Sequence, residues 1–319
     1  MVNSYDYFAF KYNSGDVILS PYYTNLRGIH FNLGYDATKH GFRKKPYSWR
    51  QVLKGYYSFS NKSFGGDYEA IFKEVIGKWD ILLNGAYDQR LQYYFFGLGN
   101  NSLFTEENLY YQQFSKELQT SAGIGRIFSK HHMISLVAQY QQVEVENEED
   151  TYVTHYFTNG TFDKKTFAGG QLNYRYHNYN DEIVPTKGFE FSGEAQYLKN
   201  LKESNRSINR YQAMVGFYIP LSKVISISSR TGGGTVTGDP EFYQMSSIGG
   251  GRTLRGYIRQ RFIGKTSFYN GNDLRFIETK LDRSSCGPNQ TVSCYCPPTR
   301  EMDMSPLKLL AGNYNFVIP

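Results

Sequence analysis

Phe189-Glu190-Phe191-Ser192-Gly193-Glu194-Ala195-Gln196-Tyr197 sets an aromatic or small residue at every odd position and a polar one at every even position. Successive side chains of an extended chain point to opposite faces, so a strand written this way has one greasy face and one wet face. The stretch is also about as long as a tilted strand that crosses a bilayer, ~9–11 residues.

The same period recurs to either side of it. Upstream, Ile29, Phe31, Leu33, Tyr35 and Ala37 alternate with His30, Asn32, Gly34 and Asp36, and Trp79, Ile81, Leu83, Gly85 and Tyr87 alternate with Asp80, Asn84 and Asp88. Downstream, Tyr211, Ala213, Val215, Phe217 and Ile219 form another greasy row. The spacing predicts strands over 16–25, 28–38, 49–60, 65–76, 78–89, 110–128, 131–146, 164–180, 186–199, 205–220, 222–236 and 270–281, about twelve in all. Several exceed the ~5–6 residues usual in soluble sheets.

Composition narrows the class. Aromatic residues make up 17% of the 319, yet mean hydropathy is -0.54 and only 40% of residues are apolar. Such a chain spreads aromatics over a surface instead of packing aliphatics into one core. No run approaches the ~18 apolar residues of a membrane-spanning helix. That leaves a soluble all-β protein or a membrane barrel, greasy outside and wet inside, whose hydropathy signal per strand is weak. The net charge of +6 is spread among acidic residues without a basic stripe, which argues against a nucleic-acid partner. The first residues, Met-Val-Asn-Ser-Tyr-Asp-Tyr, lack the basic and apolar stretches of a secretory signal.

Connection lengths agree with that class. If the first strand runs outward, the outer loops fall near 26–27, 61–64, 90–109, 147–163, 200–204 and 237–269, so the three longest lie on one side. The turns opposite are mostly short, although 39–48 is long for a turn. Outer-membrane barrels have this asymmetry. Aromatics near strand ends (Tyr22-Tyr23, Tyr56-Tyr57, Tyr93 to Phe96, Tyr110-Tyr111, and Tyr174 with Tyr176 and Tyr179) are expected to form interfacial girdles.

The segment Ser246 to Tyr257 includes Gly249-Gly250-Gly251-Arg252-Thr253-Leu254-Arg255-Gly256-Tyr257, and Asn272-Asp273-Leu274-Arg275-Phe276 follows. Together they resemble the BamA/TamA-type outer-membrane assembly and translocation superfamily, the bacterial surface antigen barrel. That superfamily carries an arginine-glycine-aromatic motif in its sixth outer loop, ahead of a strand with an acid-apolar-arginine signature. The motif maps onto Arg255, Gly256 and Tyr257, preceded by Gly250, Gly251, Arg252 and Leu254; the strand signature maps onto Asp273, Leu274 and Arg275. Eleven predicted strands precede the loop, as in that family. Pro185-Thr186-Lys187-Gly188-Phe189 and Phe95-Phe96-Gly97-Leu98-Gly99-Asn100-Asn101 resemble its members too, so the likeness covers about residues 16–281.

The resemblance implies an all-β, antiparallel transmembrane barrel of sixteen strands in the bacterial outer membrane. It also implies that the loop folds into the lumen, where its arginine meets carboxylates. A guanidinium suits such a place because its planar fork engages a carboxylate through two bonds. The family's acidic partners lie past the twelfth strand, so here Asp273 and Glu278 are the candidates. Implied partners are outer-membrane lipid and client outer-membrane or secreted proteins, handled through a weak seam between the first and last strands; no cofactor, nucleic acid or small-molecule substrate is implied. A passive porin or structural surface antigen is the rival reading. A lipid-cleaving barrel would need a serine and a histidine on adjacent strands facing the same way.

Residues 1–15 are expected to lead into a partial barrel over 16–281. From 282 to 319 the alternation stops, and that segment holds all three cysteines (Cys286, Cys294, Cys296) and five prolines. It reads as an irregular tail of truncated or frame-shifted sequence. Three thiols without a fourth ligand make a poor zinc pattern. His131-His132 falls at a turn without a third ligand, and the glycine triplets 232–234 and 249–251 precede no helical pattern, so neither a metal nor a nucleotide is expected.

Overall fold

A computed structural model of the chain describes residues 12–24, 28–41, 44–102, 108–157, 159–181, 184–203, 205–222, 224–251, 253–276 and 315–318. Twelve long strands dominate it: β1 (Ser14–Thr24), β2 (Gly28–Gly41), β3 (Lys44–Ser58), β4 (Ser63–Ile76), β5 (Trp79–Tyr94), β6 (Gln112–Phe128), β7 (His132–Val145), β8 (Lys165–Tyr179), β9 (Gly188–Asn200), β10 (Ser207–Pro220), β11 (Ile225–Gly238) and, after the short β12 (Ser246–Ile248) and β13 (Phe262–Gly264), β14 (Thr266–Phe276). One sheet runs β1 to β11 in chain order, then β14, then the short β15 (Asn315–Ile318). Its pairings are antiparallel. Among the described residues the one α-helix, α1 (Tyr152–Tyr156), spans five residues, and no helix is long and apolar enough to cross a membrane.

Register explains why period two folds this way. Glu190 pairs with Gly216, Tyr218 with Ser228, and Ser228 with Asp273, which lines up the polar positions of β9, β10, β11 and β14 on one face. A slip of one residue on any strand would turn its whole apolar row to the wrong side. The polar face is linked by side-chain bonds: Gln196 Nε2 donates to Gln139 Oε1 at 2.6 Å, Gln139 bonds Gln171, and Asn173 Nδ2 donates to Ser135 Oγ at 3.2 Å. The opposite face exposes Leu33, Leu53, Leu136, Leu172, Tyr211 and Ile219. Contacts between elements far apart in strand order lie on the polar side. Arg275 on β14, for example, donates to the carbonyl of Pro185 before β9 at 3.2 Å. The sheet therefore curls around its wet face, and the greasy face is the outside.

This orientation can be measured. A spin label at Phe217, 48% exposed on the greasy face, is expected to report lipid, and so is one at Phe191; labels at Glu190 (6% exposed) and Glu194 should report water or a polar interior. Lipid exposure at the glutamates would overturn the register.

The strand number and order match the alternation, with corrections at the ends: the strand expected over 270–281 begins at Thr266, and its residues 277–281 lie outside the described residues. Residues 39–48 do not form a long turn: β2 runs to Gly41 and β3 begins at Lys44, so this connection is as short as its neighbours. Residues 110 and 111 are not strand but the end of a 3₁₀ turn, Asn108–Tyr111. The girdle expected from Tyr93 to Phe96 and Tyr110-Tyr111 is absent. A register shift between Asp88 and Leu91 turns Tyr93 inward, where its hydroxyl donates to Glu117 Oε1 at 2.7 Å. Phe95 and Phe96, both 0% exposed, leave the strand and pack over the mouth. There Phe95 joins Val143, Val145, Val153, Phe242 and Ile263 in the largest apolar cluster, with Tyr152 and Phe157 against it. Burying each phenylalanine contributes ~1.5–3 kcal/mol, more than an interfacial position would.

Candidate functional site

The connection between β11 and β14, residues 239–265, forms the candidate site. It starts with a 3₁₀ turn, Phe242–Gln244, whose capping box satisfies backbone donors at both ends: Gln244 Oε1 accepts the Glu241 N–H at 3.1 Å while the Glu241 side chain caps Gln244. β12 then descends and β13 returns, paired through Ser246↔Gly264, Ser247↔Ile263 and Ile248↔Phe262. Ser246 Oγ lies 2.5 Å from Ser267 Oγ, which fixes this hairpin against the wet face of β14.

At the tip the backbone must reverse in little space. Gly249 (φ 139°), Gly250 (φ 80°) and Gly256 (φ 85°) occupy the left-handed region that favours glycine. A Cβ on Gly249 would stand 2.3 Å from the Ile258 carbonyl oxygen. The Gly250 N–H donates to Tyr257 O at 3.1 Å, the Leu254 N–H donates to Gly250 O at 3.1 Å, and Thr253 Oγ1 bonds both the N–H and the carbonyl of Gly249. Gly249→Ala is therefore expected to destabilise the tip by roughly 1–3 kcal/mol and to speed its cleavage by protease. Gly251→Ala, whose Cβ would meet nothing, should leave digestion unchanged. Equal digestion of the two variants would contradict this tip geometry.

The turns deliver Arg255 to Asp273. Nη1 donates to Oδ1 at 2.7 Å and Nη2 to Oδ2 at 3.1 Å, a two-bond fork. Asp273 lies seven residues below Thr266 along β14, about 23 Å of strand at ~3.3 Å per residue. The loop thus reaches well inside the wet face, and the Arg255 side chain remains 60% exposed to that interior. Arg275 Nη2 stands 3.7 Å from Asp273 Oδ2. Next to this pair, Glu190 accepts the Tyr218 hydroxyl at 2.6 Å and lies 3.3 Å from Arg230 Nε.

Further braces hold the descending and returning limbs. Lys165 Nζ on β8 meets Glu241 Oε1 at 2.5 Å, and Arg206 lies 3.9 Å from the same oxygen. Arg210 on β10 donates to the Gln244 carbonyl. Arg261 donates to Ser102 O and Oγ, both at 2.6 Å, and its guanidinium lies over the Phe96 and Phe262 rings. The Tyr94 N–H donates to Gln260 Oε1 at 3.1 Å, and the Gly99 N–H to Ile263 O at 2.8 Å. Burial pulls the Arg261 guanidinium below its ordinary pKa and pushes the Tyr243 and Tyr152 hydroxyls above theirs.

Of the residues singled out by sequence, Gly250, Gly251, Leu254, Arg255, Gly256 and Tyr257 form the tip, with Leu254 buried and the Tyr257 ring 5.6 Å from Phe262. Asp273 receives Arg255. Arg252, Glu278 and the three cysteines lie outside the described residues. Sequence reasoning missed the Lys165–Glu241 pair and the Arg261 contacts, which join positions 76 and 159 residues apart. Among the described residues one histidine stands directly opposite a serine on the neighbouring strand, His30 across from Ser58. Ser58 is 0% exposed and His30 7%, so no substrate reaches the hydroxyl.

Residues 86–290 match the Omp85 superfamily domain. Among solved structures, BamA from Haemophilus ducreyi lacking POTRA domains 1-3 aligns with a TM-score of 0.58 at 16% sequence identity, covering 83% of this chain and 53% of that one. The chain thus spans about half the length of that structure. No curated protein matches the chain.

Proposed function

The chain belongs to the Omp85 superfamily of bacterial outer-membrane β-barrels, and on that premise we propose that it inserts outer-membrane proteins or passes surface proteins across that membrane. The observation that carries the reading is the inward loop: eleven long strands precede it, and its arginine grips the acid of the acid-apolar-arginine signature on the twelfth. The loop is tied to the wall at Glu241, Gln244, Ser246 and Arg255, so it stands as a brace across the interior.

β1 ends the strand order, so one of its edges has no strand partner among the described residues. Such an edge presents backbone donors and acceptors that can template an incoming strand. This fits insertion by strand pairing, with the loop holding the interior rigid while the wall opens. The capped mouth speaks against a passive porin: Phe95, Phe242 and Ile263 are buried across it.

The test is reconstitution of the full chain in lipid vesicles with a chaperoned, unfolded outer-membrane barrel as client. Faster client folding than in empty vesicles, with little flux of small solutes, is expected. Steady solute flux without any gain in folding would identify a passive pore.

A further inference from the structure

The greasy face changes character at its far end. On β11 the outward positions run Ile225, Ile227, Ser229, Thr231, Gly233, Thr235, and on β14 they run Leu274, Asn272, Asn270, Phe268, Thr266. Register sets Ser229 opposite Asn272, Thr231 opposite Asn270 and Thr235 opposite Thr266. Asn270 Nδ2 donates to Thr231 Oγ1 at 2.7 Å, Asn272 Nδ2 donates to Asn270 Oδ1 at 2.6 Å, and the Thr235 and Thr266 hydroxyls lie 2.9 Å apart. The neighbouring β10 carries Tyr211, Ala213, Val215, Phe217 and Ile219 on this side. Gln51, an outward carboxamide on β3, is met by the Tyr68 hydroxyl at 2.9 Å.

Carboxamides facing acyl chains are costly, because hydrocarbon offers no hydrogen-bond partner. A carboxamide has two N–H groups and two lone pairs, and the bonds along the wall use one N–H and one acceptor site of Asn270. What remains calls for a polar surface at the same membrane depth. We propose that this surface is the same ladder on a second copy of the chain, packed wall to wall about a two-fold axis along the membrane normal.

Three features favour that occupant. The ladder carries no charge, and each serine, threonine and asparagine both donates and accepts, so the face is its own complement. The axis keeps every residue level with its counterpart, which a different barrel would match only if it had polar groups at the same depth. Ser229, Thr231 and Gly233 are small, so two walls can approach closely, as small residues allow between membrane segments. Barrel strands tilt by ~35–45°, so the two ladders cross, and contact is densest at Ser229, Thr231, Asn270 and Asn272.

The test uses the full chain in native outer membranes, with Cys286→Ser, Cys294→Ser and Cys296→Ser as background. Oxidation is expected to link Thr231→Cys, and likewise Ser229→Cys, into a dimer several-fold more than Thr235→Cys or Phe217→Cys. Adding Asn270→Leu with Asn272→Leu should abolish the link while the heat-resistant folded band persists. Equal linking at 217 and 231, or no link at either 229 or 231 in folded protein, would overturn the proposal. So would ready labelling of Thr231→Cys by a water-soluble maleimide, which would mean that water and lipid headgroups cover the ladder.

Discussion

Arg255→Ala is expected to leave the barrel folded, release the loop tip from the wall and slow client folding in reconstituted vesicles by about the factor that two charge-assisted bonds supply. Hydrogen bonds to charged groups contribute ~1.5–3 kcal/mol when shielded. The Arg255 side chain is 60% exposed to the interior, so solvent screening brings the figure to roughly 1–2 kcal/mol, a factor of ~5–30 in the open population. Digestion of intact cells should then cleave near Leu254 to Tyr257 faster by a similar factor. Arg255→Lys keeps the charge but loses the fork, and should fall between the two. A variant with unchanged digestion and unchanged client folding would show that the Asp273 contact holds nothing in place.

Lys165→Ala is expected to give the largest loss of stability. The Lys165 and Glu241 side chains are 8% and 13% exposed and 2.5 Å apart, at the point where the loop leaves the wall. Removing one partner strands a buried charge, at a cost of roughly 3–5 kcal/mol. Arg206 at 3.9 Å can take up part of the deficit. Lys165→Met with Glu241→Gln removes both charges and should restore most of the loss, because a neutral pair needs no counter-ion. The readout is the urea midpoint of the folded barrel in detergent micelles. If the single variant proved no weaker than the double, the pair would be worth no more than an ordinary surface ion pair.

These two sites show where sequence reading succeeds and stops. Strand number and order were legible because membrane strands have lipid on one side and water on the other, and Phe189 to Tyr197 records that division residue by residue. The tip was legible through Gly249 to Tyr257, since left-handed backbone selects glycine locally. The shift between Asp88 and Leu91 was not, because one displaced pairing leaves no mark in the pattern of Tyr93 to Phe96; those aromatics suit a girdle and a cap equally well. Only tertiary contact with Val153 and Phe242 decides for the cap. Lys165 and Glu241 look like ordinary solvated charges until the fold brings them together and removes the water. Asp273 stood out because it precedes Leu274-Arg275; Arg261 has no comparable neighbours and gave no local signal.

An outer connection that bends into the interior and sets Arg255 against Asp273 on the twelfth long strand is a geometry that can be probed chemically. Its most direct test is cross-linking by a short bifunctional thiol reagent, in native outer membranes, of a chain whose own cysteines are serine and which carries Arg255→Cys with Asp273→Cys. An efficient link within one molecule is expected, and none when Asp273→Cys is exchanged for Lys62→Cys in the turn after β3 on the outer side. A link from position 255 to position 62, with none to position 273, would place the loop outside the barrel and contradict it.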